Sequence, residues 1–233
     1  MPVQSAEVSI PAGEVALAGT LSLPSRPIGI VVFAHGSGSS RFSARNQRVA
    51  AELGGRGLGT LLFDLLTAEE ERADAIDTHL RFDIPLLARR LVAVTDWARR
   101  EPRVRDLPIG FFGASTGAAA ALIAAAERPD AVAAVVSRGG RPDLAGPDLP
   151  RVAAPTLLLV GGSDYAVLDL NREAATRMRA PCSVAIVPRA THLFEEPGAL
   201  DEVARRAGDF LVEKLGEATR RKATGARTEE VHR

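Results

Sequence analysis

Polar and apolar residues alternate at the start of the chain, over residues 6–10 and again over residues 14–23, with Pro11, Ala12 and Gly13 between them. Period-two alternation around a short turn predicts a β-hairpin. The pattern then changes. Residues 28–34 read IGIVVFA, a continuous apolar run that is rich in β-branched side chains and too short for a buried helix. Such a run predicts a strand covered on both faces. Similar runs recur at residues 59–63, 109–112, 131–136, 156–160 and 183–187.

Helical periodicity fills the gaps. Residues 45–53 place Val49, Ala50 and Leu53 on one face, and residues 82–99 gather Leu86, Leu87, Arg90, Leu91, Val94 and Trp97. Residues 116–127 form an alanine-rich helix that Pro129 stops, and residues 170–178 and 200–214 complete the set. Strands alternating with helices predict an α/β fold: a mainly parallel central sheet, right-handed crossovers and helices on both faces. The expected organisation is one domain over residues 1–216. Residues 217–233 hold Arg220, Arg221, Lys222, Arg227 and Arg233 against three glutamates, with little to bury, and read as a charged, disordered tail.

Composition narrows the function. The 29 basic and 29 acidic side chains cancel, so no global field favours nucleic acid or an anionic membrane, and 4% aromatics argue against base stacking. A single cysteine, Cys182, excludes an internal disulfide and a multi-cysteine zinc site. No secretory signal and no membrane span is visible, which makes a cytoplasmic location the expectation.

The chemistry lies at strand ends. Gly113-Ala114-Ser115-Thr116-Gly117 follows one predicted strand and opens the alanine-rich helix. A G-x-S-x-G in that context places a serine hydroxyl at the tip of a sharp turn, above the sheet and beside a helix N-terminus. Asp164 ends GGSD after the strand at 156–160, and His192 ends PRATH after the strand at 183–187. Asp169 is a weaker competitor, suited to capping a helix. All three candidates leave parallel strands at the edge where open α/β sheets hold their sites, in the order Ser, Asp, His. His35-Gly36-Ser37-Gly38 leaves another strand at that edge. Ser37 and Thr116 are the expected backbone N–H donors of an oxyanion hole. A phosphate loop is excluded there, because Arg41 stands where a third glycine belongs and no G-K-S/T follows. His35 reads as a brace for the loop. His79 lies in a polar loop and His232 in the tail.

The segments HGSGSSR (35–41), GASTG (113–117), GGSD (161–164) and ATHLFEEPGAL (190–200) together resemble the dienelactone hydrolase-like group of α/β-hydrolases. The resemblance covers the chain before the tail. It departs from the family at the nucleophile, where dienelactone hydrolases proper use cysteine and this chain has Ser115. Only about twenty residues, rich in Gly, Pro and Asp, separate the strands at 131–136 and 156–160, so no large lid is expected.

These readings converge on a serine hydrolase of small carboxylic esters or lactones, with Ser115 as nucleophile, His192 as base, Asp164 orienting the imidazole, and no metal or organic cofactor. A thioesterase or acyltransferase would use the same triad. A non-catalytic binding module of this fold would be expected to lack a triad member. Arg41, Arg138 and Arg141 leave strands or loops near the same edge and are candidates for a substrate carboxylate, as the resemblance also implies. The oligomeric state is left open by the sequence.

Overall fold

The computed structural model describes residues 3–231. The hairpin forms from β1 (Val3–Ala12) and β2 (Val15–Pro24), with Ala12 paired to Val15 and Gly13 in the left-handed region at φ 71°. The apolar runs become β3 (Ile30–Ala34), β4 (Gly59–Phe63), β5 (Ile109–Ala114), β6 (Val132–Arg138), β7 (Thr156–Gly161) and β8 (Cys182–Val187). The order across the sheet is β1-β2-β4-β3-β5-β6-β7-β8. The hairpin pairs antiparallel at one margin and the six strands β3 to β8 run parallel. β3, β4, β5 and β7 are buried at every position, as continuous apolar runs require. β8 differs from its expectation. It is the sheet margin, largely uncovered, with only Val187 buried.

The helices are α1 (Ala44–Gly55), α2 (Ala68–Asp77), α3 (Ile84–Ala98), α4 (Thr116–Glu127), α5 (Tyr165–Arg177) and α6 (Ala199–Val231). They lie on both faces of the sheet, and the central strands β3, β4, β5 and β6 feed both cores. On β3, Ile30, Val32 and Ala34 join the core beneath α3 and α4, while Val31 and Phe33 join the core beneath α1 and α6. The segment after β6 forms short 3-10 turns over Pro142–Arg151 that pack against α4, with Ala145 and Leu149 buried, and no lid stands there.

Three elements depart from the sequence reading. α2 has no apolar stripe; it is made by a capping box in which Thr67 and Glu70 each accept the other's backbone N–H. α5 starts five residues earlier than periodicity suggests, so Asp169 lies inside it, exposed and paired with Arg172, and is not its cap. From Glu217 the expected tail continues α6 to Val231, with Leu215 the last apolar side chain of α6 buried among the described residues; Arg233 and the tail histidine His232 lie outside the described residues. No described helix is long and apolar enough to cross a membrane.

Candidate active site

Ser115 sits between β5 and α4 at φ 50°, ψ −122°, a backbone region that L-residues rarely adopt. Close packing holds it there. A Cβ on Gly117 would lie 2.3 Å from the Ala34 carbonyl oxygen, and one on Gly113 would lie 2.5 Å from the Ala118 Cα. Both glycines are therefore needed for contact, whatever their dihedral angles. The Ser115 N–H donates to the Arg138 carbonyl at 3.3 Å and its own carbonyl accepts from Arg141 N–H at 3.1 Å, so the turn is tied to the end of β6.

Asp164 immediately precedes α5, and His192 lies in the loop after β8. Two backbone bonds join their loops, from Gly162 N–H to Val187 O and from Ser163 N–H to Ala190 O, each 2.9 Å. Glu196 steadies the histidine loop by accepting the Thr191 N–H at 3.0 Å and its hydroxyl at 2.6 Å. The result is a hydrogen bond of 2.7 Å between His192 Nδ1 and Asp164 Oδ2. An ionised carboxylate only accepts, so Nδ1 carries the hydrogen and Nε2 keeps its lone pair. A cleft of about 190 Å³ is lined by Ser37, Arg45, Ser115, Arg138, His192 and Leu193, among others. The proposed nucleophile and base thus meet at one cavity.

The loop after β3 closes one side. His35 is buried and braces it. Its Nδ1 donates to the Gly36 carbonyl at 2.9 Å, and its Nε2 accepts the Leu65 N–H at 3.0 Å. Burial pushes its pKa below the ordinary histidine value, against smaller raising contributions from Gly36 and Asp64. The Ser37 N–H donates to Thr116 Oγ1 at 3.0 Å. A second pocket of about 370 Å³ lies along the same loop, bounded by Leu65, Leu66, Glu71 and Arg81.

The three candidate arginines have different fates. Arg41 is bound to Asp64 through its backbone N–H at 2.7 Å and its guanidinium, and it is not among the cleft residues. Arg141 grips Asp143 with two guanidinium nitrogens and is also absent from the cleft. Arg138 lines the cleft and is buried, and its Nε and Nη1 have no partner among the described residues. Burial, aided by the neighbouring charge of Arg45, pulls its pKa down to about 10. Arg45, on α1, is the site residue that sequence reading missed. It reaches the cleft with Nε buried and unpaired, while Nη1 donates to Glu195 at 3.2 Å. Its position just after the oxyanion loop was the available signal.

Cys182 opens β8, away from the elbow, and burial pushes its thiol up to about 11. Asp74, Asp77 and His79 bring ligand atoms together within 4.8 Å, but Asp74 is already bound by Arg81 and Asp77 by His79.

Against known proteins, the chain is similar over 214 residues, at 56% identity, to a Mycobacterium tuberculosis protein named "Putative phosphoribosyl transferase". The match takes in 92% of this chain and 47% of that one, so the chain spans about half the length of the curated relatives it matches. The crystal structure of a dienelactone hydrolase from Anabaena variabilis superposes with a TM-score of 0.90 at 56% identity, covering 91% of this chain and 99% of the other. Est1E from Butyrivibrio proteoclasticus shares the fold at a TM-score of 0.75 and 16% identity, over 90% of this chain and 98% of its own. The model of the dienelactone hydrolase family matches residues 17–214. With that match across all six parallel strands and the elements that carry the cleft, the chain belongs to the dienelactone hydrolase family.

Proposed function

We propose that this hydrolase cleaves small carboxylic esters or lactones through an acyl-enzyme on Ser115. The observation that carries the reading is the 2.7 Å bond from His192 to Asp164 beside a cleft that also holds the strained Ser115. Ser115 Oγ adds to the carbonyl carbon as its proton passes to His192 Nε2. The imidazolium formed is stabilised by Asp164. The tetrahedral oxyanion develops beside the N-terminus of α4, where the Thr116 N–H has no intrahelical acceptor. Collapse expels the alkoxide, which takes the proton from His192, and water then repeats the sequence on the acyl-enzyme. The short connection between β6 and β7 leaves the cleft open, which favours small soluble substrates. In this reading no metal or organic cofactor takes part, and the compartment is the cytoplasm.

Arg138 is proposed as the anchor of a substrate carboxylate. A buried guanidinium with two unused nitrogens, flanking the reacting residues, is costly unless an anion completes it. Arg41 and Arg141, each occupied by its own aspartate, drop out of that role.

A thioesterase or acyltransferase remains the second reading, because the triad is indifferent to the leaving group. The mycobacterial relatives carry a phosphoribosyl transferase name, but the match covers 47% of their length, and over the shared part the matching family model is that of a hydrolase. The decisive experiment combines p-nitrophenyl acetate turnover by the wild type and Ser115→Ala with labelling by a fluorophosphonate probe. Labelling that Ser115→Ala abolishes supports the nucleophile and excludes a pure binding module. A panel of acyl-thioesters and lactones then separates the two catalytic readings.

A further inference from the structure

Thr116 is the first residue of α4, directly after Ser115, and is only 5% exposed. Its Oγ1 accepts the Ser37 N–H at 3.0 Å. The second oxyanion donor expected from the sequence is therefore already engaged, and by a side chain rather than by open space. A hydroxyl has lone pairs to accept with and a single hydrogen to donate. Ser37 occupies a lone pair, so the hydrogen of Thr116 must point elsewhere.

Three other helical threonines show where such a hydrogen ordinarily goes. Thr95 donates to the Leu91 carbonyl at 2.8 Å, Thr176 to Glu173 at 2.7 Å and Thr219 to Leu215 at 3.0 Å. Each bonds back onto the helix it belongs to. Thr116 has no helical turn behind it, and among the described residues its hydroxyl is given no carbonyl or carboxylate. Thr116 lies just behind the cleft wall rather than among the lining residues, but Ser37, which donates to it, and Ser115, which precedes it, both line the cleft.

We propose that the Thr116 hydroxyl is itself an oxyanion donor, working beside the Thr116 backbone N–H, and that the Ser37 N–H acts through it. The inference rests on Ser115 as the nucleophile. As the Ser115 oxygen bonds to the carbonyl carbon, the C=O π pair moves onto the carbonyl oxygen and the serine proton moves to His192. The new negative charge then meets one N–H and one O–H from the same residue. The Ser37 bond serves this in two ways. It fixes a rotor that would otherwise turn freely, and it draws electron density from Oγ1, making the hydroxyl a better donor. When the intermediate collapses, the pair returns to the C=O bond and both Thr116 donors are released unchanged. Thr116 is then a catalytic residue through its side chain, and Ser37 is a positioning residue.

The test is a comparison of wild type, Thr116→Val, Thr116→Ser and Thr116→Ala in p-nitrophenyl acetate turnover and in inhibition by a trifluoromethyl ketone. That ketone adds to a serine nucleophile and presents a stable tetrahedral oxyanion. Thr116→Val should lower kcat by about 100-fold, the usual effect of losing one oxyanion donor, with KM within a few-fold of the wild type. Ketone affinity should fall by a similar factor, and Thr116→Ser should restore most of both losses. An unchanged or faster Thr116→Val enzyme would overturn the proposal, since the hydroxyl would then be idle or a plug in the hole. A loss confined to KM, with ketone affinity intact, would overturn it as well. If Thr116→Val fails to fold, the same comparison between Thr116→Ala and Thr116→Ser decides. Ser115→Ala separates the two layers. Turnover that survives Ser115→Ala removes the nucleophile reading, whereas a dead Ser115→Ala beside an unaffected Thr116→Val removes only this inference.

Discussion

Asp164 stands at the N-cap position of α5 yet caps nothing: its Oδ2 meets Nδ1 of His192 at 2.7 Å instead. An aspartate there would ordinarily bond a backbone N–H of the first turn, a contact worth about 1 kcal/mol. Forgoing it makes sense if the carboxylate serves the imidazole. Ser115→Ala should then reduce turnover by about a million-fold, and Asp164→Asn by about ten-thousand-fold, because the amide can present its N–H to Nδ1 and favour the wrong tautomer. Steady-state kinetics on an activated ester reads both. Near-wild-type rates for Asp164→Asn would detach the aspartate from catalysis.

The thiol provides an independent check on which atom attacks. Family members with a cysteine nucleophile require a thiolate. Here burial pushes Cys182 up to about 11, so at pH 8 only about a thousandth of it is ionised. Cys182→Ser should leave esterase turnover within about two-fold, and iodoacetamide at pH 8 should modify the native protein slowly without matching loss of activity. Inactivation that tracks alkylation would point to the thiol and away from Ser115.

What the amino-acid sequence reveals of this fold and site depends on the kind of signal each element carries. The parallel strands are legible because runs such as IVVFA at β3 must be buried on both faces, and strand ends are where Ser115, Asp164 and His192 fall. Helix α2 is not legible by periodicity. It buries only Asp74 and depends on the Thr67–Glu70 capping box, a local signal that an apolar-stripe search passes over. The margin position of β8 is hidden too, since CSVAIV reads like its buried neighbours and only the sheet order leaves it uncovered. The arginines divide by range. The partner of Arg141 is two residues away at Asp143, within reach of a local reading. That of Arg41 is Asp64, which only the fold brings near. That Nε and Nη1 of Arg138 lack hydrogen-bond partners among the described residues is a property of the packed core and leaves no trace in sequence.

His35 gives the fold a pH dependence whose sign is fixed by its burial. Its pKa is lowered in the folded state, so between the folded value and the unfolded value of about 6.5 the unfolded chain binds more protons. Stability therefore rises with pH through this window; it is fully present above about 6.5 and is lost as pH falls below it. Protonation would also cost the bond in which Nε2 accepts the Leu65 N–H. Urea midpoints measured from pH 7.5 down to 5.5 should fall for the wild type and stay flatter for His35→Asn. Parallel curves for the two proteins would show that His35 titrates alike in both states.

Arg138 lets function and stability be set against each other in one residue. It is 7% exposed, two of its guanidinium nitrogens are unpaired among the described residues, and the neighbouring charge of Arg45 repels it. Left empty, such a site should cost stability, because a buried charge facing only the Phe194 ring and no anion is poorly compensated. Arg138→Met keeps the bulk and removes the charge, so its melting temperature should rise or hold. The same change should cripple recognition of an ester that carries a free carboxylate. The loss of a charged hydrogen-bond pair, about 1.5–3 kcal/mol, corresponds to a rise in KM of roughly 10- to 100-fold. The matching neutral methyl ester, which never made that pair, should change by less than about three-fold on the same reasoning. Arg45→Met should act in the same direction but more weakly, since Glu195 already holds one of its nitrogens. A melting temperature that drops sharply, with both esters affected alike, would identify Arg138 as a packing residue and leave the carboxylate without an anchor.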